Sequence, residues 1–323
     1  MELIRGRHNL RAEHRGSAVT IGNFDGLHLG HQSVLELLKE RATVLGLPTL
    51  VMTFEPSPRE YFRGPDSPPR LMSFREKFEG LAAAGIDRLF CLRFDASIAR
   101  MPPEGFIQEL LVEGLGVCKV VIGDDFRFGR DRAGDFVMLL RAASQYDFRV
   151  AKAKPCYVEG ERVSSTAIRE ALAAGDLDRA SRLLGRRYSM SGRVVSGRRL
   201  GRDLGYPTAN LRPGRRVLPL AGVFAAWVHG AAPTPWPAVV SLGTRPTVAG
   251  DEPLLEAHLF DFDGDLYDRR IRVEFVARLR DEERFENVAQ LTDQMHVDSE
   301  SARRLLARFE SLAVAAPATR DRE

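Results

Sequence analysis

Between residues 17 and 153 short apolar runs alternate with segments of helical spacing, and this alternation limits the possible folds more than any other feature of the chain. Residues 17–22, 48–54, 88–92, 119–123 and 148–153 read as strands. Residues 30–45, 73–84, 103–115 and 134–144 read as helices. Val34, Leu35, Leu37 and Leu38 mark the apolar side of the first helix, and prolines open the third. Strand and helix in turn predict a doubly wound parallel sheet, which binds ligands beyond the carboxyl ends of its strands where the strand order reverses. Two further helices are expected at 165–173 and 176–184. After 185–187 the texture changes to short β-rich runs at 189–195, 222–228, 238–241, 254–260 and 271–277, separated by Gly, Pro and Asp turns. Such spacing predicts a small antiparallel β-barrel. A terminal helix over 288–309 follows, and a tail over 313–323 with the composition of a disordered end. The expected division is therefore an α/β domain over 1–186 and a barrel domain over 187–312, with little linker and no internal repeat.

Composition narrows the function. The 323 residues suit two domains, and a hydrophobic fraction of 44% excludes wholesale disorder. No run of 18 uncharged apolar residues exists, so no transmembrane helix is expected. Glu2, Arg5 and Arg7 interrupt the N-terminus, which is unlike a secretory signal. Cys91, Cys118 and Cys156 have no Cys-x-x-Cys spacing, which argues against a disulfide framework or a zinc knuckle and fits the cytoplasm. The net charge of +3 argues against bulk binding to nucleic acid or membrane, and the expected state is a monomer or weak homo-oligomer. Only five cations are lysines (39, 77, 119, 152 and 154). Arginine suits phosphate, although biased base composition is the plainer cause of the excess. None of the lysines completes a P-loop, so any nucleotide chemistry needs another cradle.

Residues 22–31 read Gly22-Asn23-Phe24-Asp25-Gly26-Leu27-His28-Leu29-Gly30-His31 and connect the first strand to the first helix. A helix start favours anions, and the glycines allow close backbone approach. His28 and His31, three apart, can face one spot and donate to a phosphate oxygen as charge builds there. Metal binding competes for the same spacing. Ser164, Ser165 and Thr166 enter another helix with Arg169 one turn in. Alone, that pattern is an ordinary helix cap.

Together with Thr53-Phe54-Glu55-Pro56-Ser57-Pro58 and Gly123-Asp124-Asp125-Phe126-Arg127-Phe128-Gly129, these segments resemble the adenylyltransferase half of bacterial bifunctional riboflavin kinase/FAD synthetases, whose His-x-Gly-His signature marks nucleotidyltransferases. The resemblance spans about residues 15–310. It implies that His28, His31 and Asn23 hold ATP phosphates, that Ser164, Ser165, Thr166 and Arg169 complete the cradle, and that Asp125, Phe126 and Phe128 lie near the flavin. Phe54, Pro56, Pro58 and Phe62 would give an apolar wall, although by residue type alone ordinary packing is the better reading of these.

The second half carries Gly197, Gly201 and Gly205, a pliable flap suited to phosphates, then Pro207-Thr208-Ala209-Asn210. Thr208 and Asn210 alternate by two and could offer hard oxygens to Mg²⁺; alone the run reads as a turn. Glu256 stands in a β pattern among apolar residues, where the solvent face is its usual place. These segments, with 222–225, 241–247 and 255–258, resemble the riboflavin kinase module. The resemblance implies that Thr208 and Asn210 bind Mg²⁺-nucleotide and that Glu256 is the catalytic base. The implied substrates are riboflavin, FMN and ATP. Ser196, Tyr206, Phe224 and Ser241 stand where many relatives have His, Phe, Tyr and Asn, and Asp125 stands where Asn would serve. Two other functions fit the motifs less well: a nucleotidyltransferase of another acceptor whose barrel only binds substrate, and a flavin- or RNA-contacting regulator with dead sites.

Overall fold

The computed structural model describes residues 1–196, 204–247 and 250–315. Gly197, Gly201 and residues 316–323 of the expected tail lie outside them. The chain forms two compact units, residues 1–68 with 74–165, and 69–73 with 166 onward.

The first unit is built on six parallel strands: β1 (Glu2–Arg5), β2 (Ala18–Ile21), β3 (Thr49–Glu55), β4 (Arg88–Arg93), β5 (Lys119–Ile122) and β6 (Arg149–Lys152). Their order is β1-β4-β3-β2-β5-β6. The chain moves outward from β2 through β3 to β4, then returns to the other side of β2 with β5. The reversal therefore lies between β2 and β5, and the loops after these strands open there. All of β2 and all of β3 but Glu55 are buried, as central parallel strands require. The edge strand β1 escapes sequence reading because it has four residues and a charge at each end.

Helices α1 (Leu29–Leu45), α2 (Pro58–Arg63), α3 (Phe74–Ala83) and α4 (Ala96–Ala99) come next in the chain. Short strands β7 (Tyr157–Val158) and β8 (Glu161–Arg162) pair antiparallel. The expected helix over 103–115 is α-helical only at α5 (Pro103–Gly105) and continues as a π-helix over Phe106–Gly114. Its wider turn buries Phe106, Ile107, Leu110 and Leu111 together, and Leu115 N–H reaches back five residues to the Leu110 carbonyl. Apolar spacing alone does not distinguish this from an α-helix. Helix α6 (Phe136–Tyr146) follows β5.

The second unit contains most of α7 (Ser165–Ala173), α8 (Leu177–Leu184) and a closed barrel in the order β10-β13-β12-β11-β14-β9. Its strands are β9 (Ser189–Val195), β10 (Ala209–Leu211), β11 (Gly222–His229), β12 (Trp236–Thr247), β13 (Gly250–Leu259) and β14 (Arg270–Arg280), all antiparallel to their neighbours. Alternation sends Leu211, Phe224, Val240, Leu242, Leu255 and Ala257 inward. The outer residues Ala225, Trp227 and Phe260 pack against Ala302 and Leu306 of helix α9 (Val288–Ala315), which continues through the first three residues of the expected tail. Residues 69–73 are tied into this unit by their carbonyls. Arg169 Nε donates to Pro69 O (2.6 Å), Tyr188 Oη to Leu71 O (2.9 Å), and Arg215 to Arg70 O and Leu71 O (3.2 and 2.8 Å).

Phe224 is fully buried among the barrel's inward residues and packs edge-on against Phe275 at 5.2 Å. Truncation by Phe224→Ala leaves a cavity and is expected to cost about 3–5 kcal/mol. Urea unfolding followed by a barrel-specific probe, such as Trp227 fluorescence, measures the loss.

Candidate functional sites

At the reversal point Gly22 ends β2 and the loop to α1 begins. Phe24 and Leu27 take positive φ of 47° and 43°, and Gly26 of 91°. Non-glycine residues in that region are costly and are held only where the surroundings fix them. His28 caps α1: its Nδ1 accepts the His31 amide N–H at 3.2 Å. An accepting Nδ1 assigns the ring proton of neutral His28 to Nε2, leaving one N–H donor. The His28 and His31 rings stack at 3.6 Å and 16°, and Phe24 covers His31 at 5.0 Å. A Cβ on Gly30 would meet the His28 ring at 3.2 Å, so glycine there lets the ring lie against the helix start.

His31 Nδ1 is shut off from solvent and has no hydrogen-bond partner. Burial first, then the His28 ring and the Lys77 ammonium, hold its pKa well below 6.5. Lys77, 5% exposed on α3, is absent from the motif reading. Its only signal was a lysine in phase with buried Leu81, four residues on. Of the expected phosphate residues, Ser165 ties its helix to the loop, its Oγ donating to Asp25 O at 2.8 Å. Asn23 follows Gly22 directly and is half-buried. Arg169 Nε is directed to the Pro69 carbonyl.

Beyond the same strand ends lies a cavity of about 480 Å³. Two aromatic clusters line it. Phe54 and Phe62 both meet Phe94 edge-on at 5.7 and 5.8 Å, and Phe128 contacts Phe106 and Phe126 at 5.3 and 5.7 Å. Phe54, Pro58, Phe62, Phe126 and Phe128 were expected near a flavin, and all five line this space; Pro56 and Asp125 do not. Asp125 is exposed, with Oδ2 3.7 Å from Arg162, whose guanidinium also holds both oxygens of Asp124 at 2.8–2.9 Å. That guanidinium offsets the acidic charge near this end of the sheet. Phe94 and Phe106 went unread because each looks like ordinary core.

In the barrel, Asn210, Glu256 and Ser241 stand opposite one another on three adjacent strands. They belong to the outer parity, alternate to the inward Leu211, Leu255 and Leu242. Asn210 is 7% exposed, and its Nδ2 donates to Thr208 O at 3.4 Å, which turns Oδ1 away from that carbonyl. His258, also on β13, holds Pro207 O at 2.9 Å through Nδ1 and meets Tyr206 at 5.2 Å. Two hard oxygens on one short segment are the donor chemistry of a magnesium–nucleotide site. Among the described residues no group of three or more His, Cys, Asp or Glu could hold a metal. Gly205 has φ of 83°, in the turn before these residues.

A family described as FAD synthetase matches residues 10–167, and one described as riboflavin kinase matches 184–306. The chain is 48% identical over 308 residues to the bifunctional riboflavin kinase/FMN adenylyltransferase of Pseudomonas fluorescens, covering 95% of this chain and 98% of the relative. It is 45% identical over 304 residues to the protein of the same name from Escherichia coli K12, covering 94% and 97%. A crystal structure titled macrolide-efflux protein, from Streptococcus pneumoniae, shares the fold with a TM-score of 0.79 at 30% identity, over 94% of this chain and 99% of that one. Among the described residues of this chain no helix is long and apolar enough to cross a membrane.

The buried His31 ring gives a pH signature. Its protonated form is disfavoured only in the folded state. Below pH 6.5 the unfolded chain takes up a proton that the folded chain resists, so stability falls as pH drops below that value. His31→Gln is expected to flatten the dependence between about pH 6.5 and 5, as read from urea midpoints across that range.

Proposed function

Because this chain belongs to the bifunctional riboflavin kinase/FMN adenylyltransferase family, we propose that its two halves catalyse successive steps at separate sites. Residues 187–312 transfer the γ-phosphoryl group of ATP to riboflavin, and residues 1–186 join the resulting FMN to the adenylyl group of ATP, releasing pyrophosphate. The observation that carries the second assignment is the stacked His28/His31 pair at the strand reversal, on the same sheet end as an aromatic cavity.

In adenylyl transfer a phosphate oxygen of FMN attacks the α-phosphorus of ATP, and the bond to the β-phosphate oxygen breaks. The attacking group is already an anion, so no base is needed; positioning and charge stabilisation dominate. His28 Nε2–H donates to a phosphate oxygen, and the neutral His31 ring supports it by stacking. Asn23, Ser164 and Thr166 add donors, Ser165 fixes the loop through the Asp25 carbonyl, and Arg169 supplies positive charge near the helix start. The flavin ring lies against Phe54, Pro58, Phe62, Phe126 and Phe128, with Pro56 shaping the turn and Asp125 at the edge.

In the kinase step the nucleophile is the neutral ribityl 5′-hydroxyl, which attacks the γ-phosphorus and displaces ADP. This step needs a base. Glu256 takes that proton and orients the hydroxyl. Thr208 Oγ1 and Asn210 Oδ1 would hold Mg²⁺, which when bound neutralises triphosphate charge. Gly205, at positive φ, lets the backbone ahead of Thr208 approach the phosphates. The expected setting is the cytoplasm, with small-molecule substrates and no nucleic-acid or membrane partner.

Purified chain with riboflavin and Mg-ATP is expected to yield FMN and then FAD. His28→Ala should raise the barrier to FAD formation by at least ~2.7 kcal/mol while FMN formation barely changes. Glu256→Gln should slow FMN formation by roughly 10²–10⁴-fold and leave adenylylation of supplied FMN intact. Equal losses of riboflavin phosphorylation and of adenylylation of supplied FMN, from either variant, would refute separate sites.

A further inference from the structure

The aromatic cavity is apolar within and cationic at its edge. Arg59 and Arg63 are four residues apart on α2, and so share one helix face. Arg127 and Arg132 belong to the loop between β5 and α6. All four line the cavity and all are exposed. Among the described lining residues Asp131 is the only carboxylate, and it lies 3.7 Å from Arg130, which is not one of them. Asp135 reaches Arg127 only at 3.5 Å, in an exposed pair. The lining therefore carries a clear excess of positive charge.

An apolar cavity cannot select FMN over riboflavin, because the two share the ring and the ribityl chain. They differ in a phosphate dianion. A chain that makes FMN in one half meets both flavins, and riboflavin seated at the adenylyl-transfer site has no phosphate to react. Guanidinium groups pair with phosphate through strong, charge-assisted hydrogen bonds, and a site built for such a group penalises the analogue that lacks it. Resting on the flavin assignment above, we propose that Arg59, Arg63, Arg127 and Arg132 form an anion-selecting rim that favours FMN over unphosphorylated flavin at the adenylyl-transfer site.

The test uses the full chain at saturating Mg-ATP, with FAD formation as the readout. FMN is the varied substrate and lumiflavin, which has the ring without ribityl or phosphate, is the competitor. Arg63→Gln/Arg132→Gln removes one charge from each element at exposed positions. The expected result is a roughly tenfold higher KM for FMN, with the lumiflavin inhibition constant unchanged. In the unsubstituted chain, added salt should raise KM for FMN and leave lumiflavin inhibition unaffected. Parallel loss of FMN and lumiflavin binding in the variant would overturn the rim, since the arginines would then only shape the ring's cavity. An unchanged KM would overturn it also. Failure of lumiflavin to compete with FMN in the unsubstituted chain would be a different result: it would remove the cavity from the flavin and the rim with it.

Discussion

One hydrogen bond, from the His31 amide to His28 Nδ1, organises the α/β site. It satisfies an otherwise orphaned N–H at the helix start and fixes where α1 begins. It also removes Nδ1 of His28 from the choice of tautomers, so the remaining ring proton sits on Nε2. The stacked geometry brings the second imidazole into a place where charge is unwelcome. The helix cap thus sets the position of the pair and the tautomer of His28, while burial holds the His31 pKa down. The positive φ at Phe24 and Leu27 belongs to the same arrangement: the loop is bent to deliver His28 to the helix end.

The two halves meet different chemical demands with different kinds of backbone. A parallel sheet with a strand reversal provides a crevice into which several loops project, which suits a reaction needing many donors and no base. A closed barrel offers rows of side chains at fixed cross-strand register. Asn210, Glu256 and Ser241 occupy one such row, so a carboxylate is held beside an amide by strand pairing rather than by a loop. That difference matches an anionic nucleophile in one half and a neutral hydroxyl in the other.

Strong periodicity was legible in the sequence: the central strands, α1, α7 and barrel strands β9, β11 and β14 begin and end within three residues of expectation, whereas β12 and β13 extend further and β10 was not expected as a strand. The glycine–histidine run was legible because strand, glycines and helix start coincide there. The π-helical stretch was not, since its buried residues also fit a helical pattern. Lys77 was hidden in an amphipathic helix, where lysine is common. The rim arginines were hidden by composition: against so few lysines, no single arginine stands out until a cavity lies beside it. Glu256 is the instructive case. Residue type placed it toward solvent, and it does have the outward parity, yet the strand opposite brings a buried amide beside it.

The segment 69–73 has a consequence for how the gene can be divided. The chain enters the second unit at Pro69, leaves it after Ser73 and re-enters at Thr166. A fragment starting near residue 187 would take Tyr188 and Arg215 without the Arg70 and Leu71 carbonyls they bond. Arg215 is 6% exposed with that segment in place, so the fragment would lose both these hydrogen bonds and the packing that accompanies them. The two reactions are chemically independent, but the second unit takes residues 69–73 from upstream, so no single cut in the chain separates the two units whole.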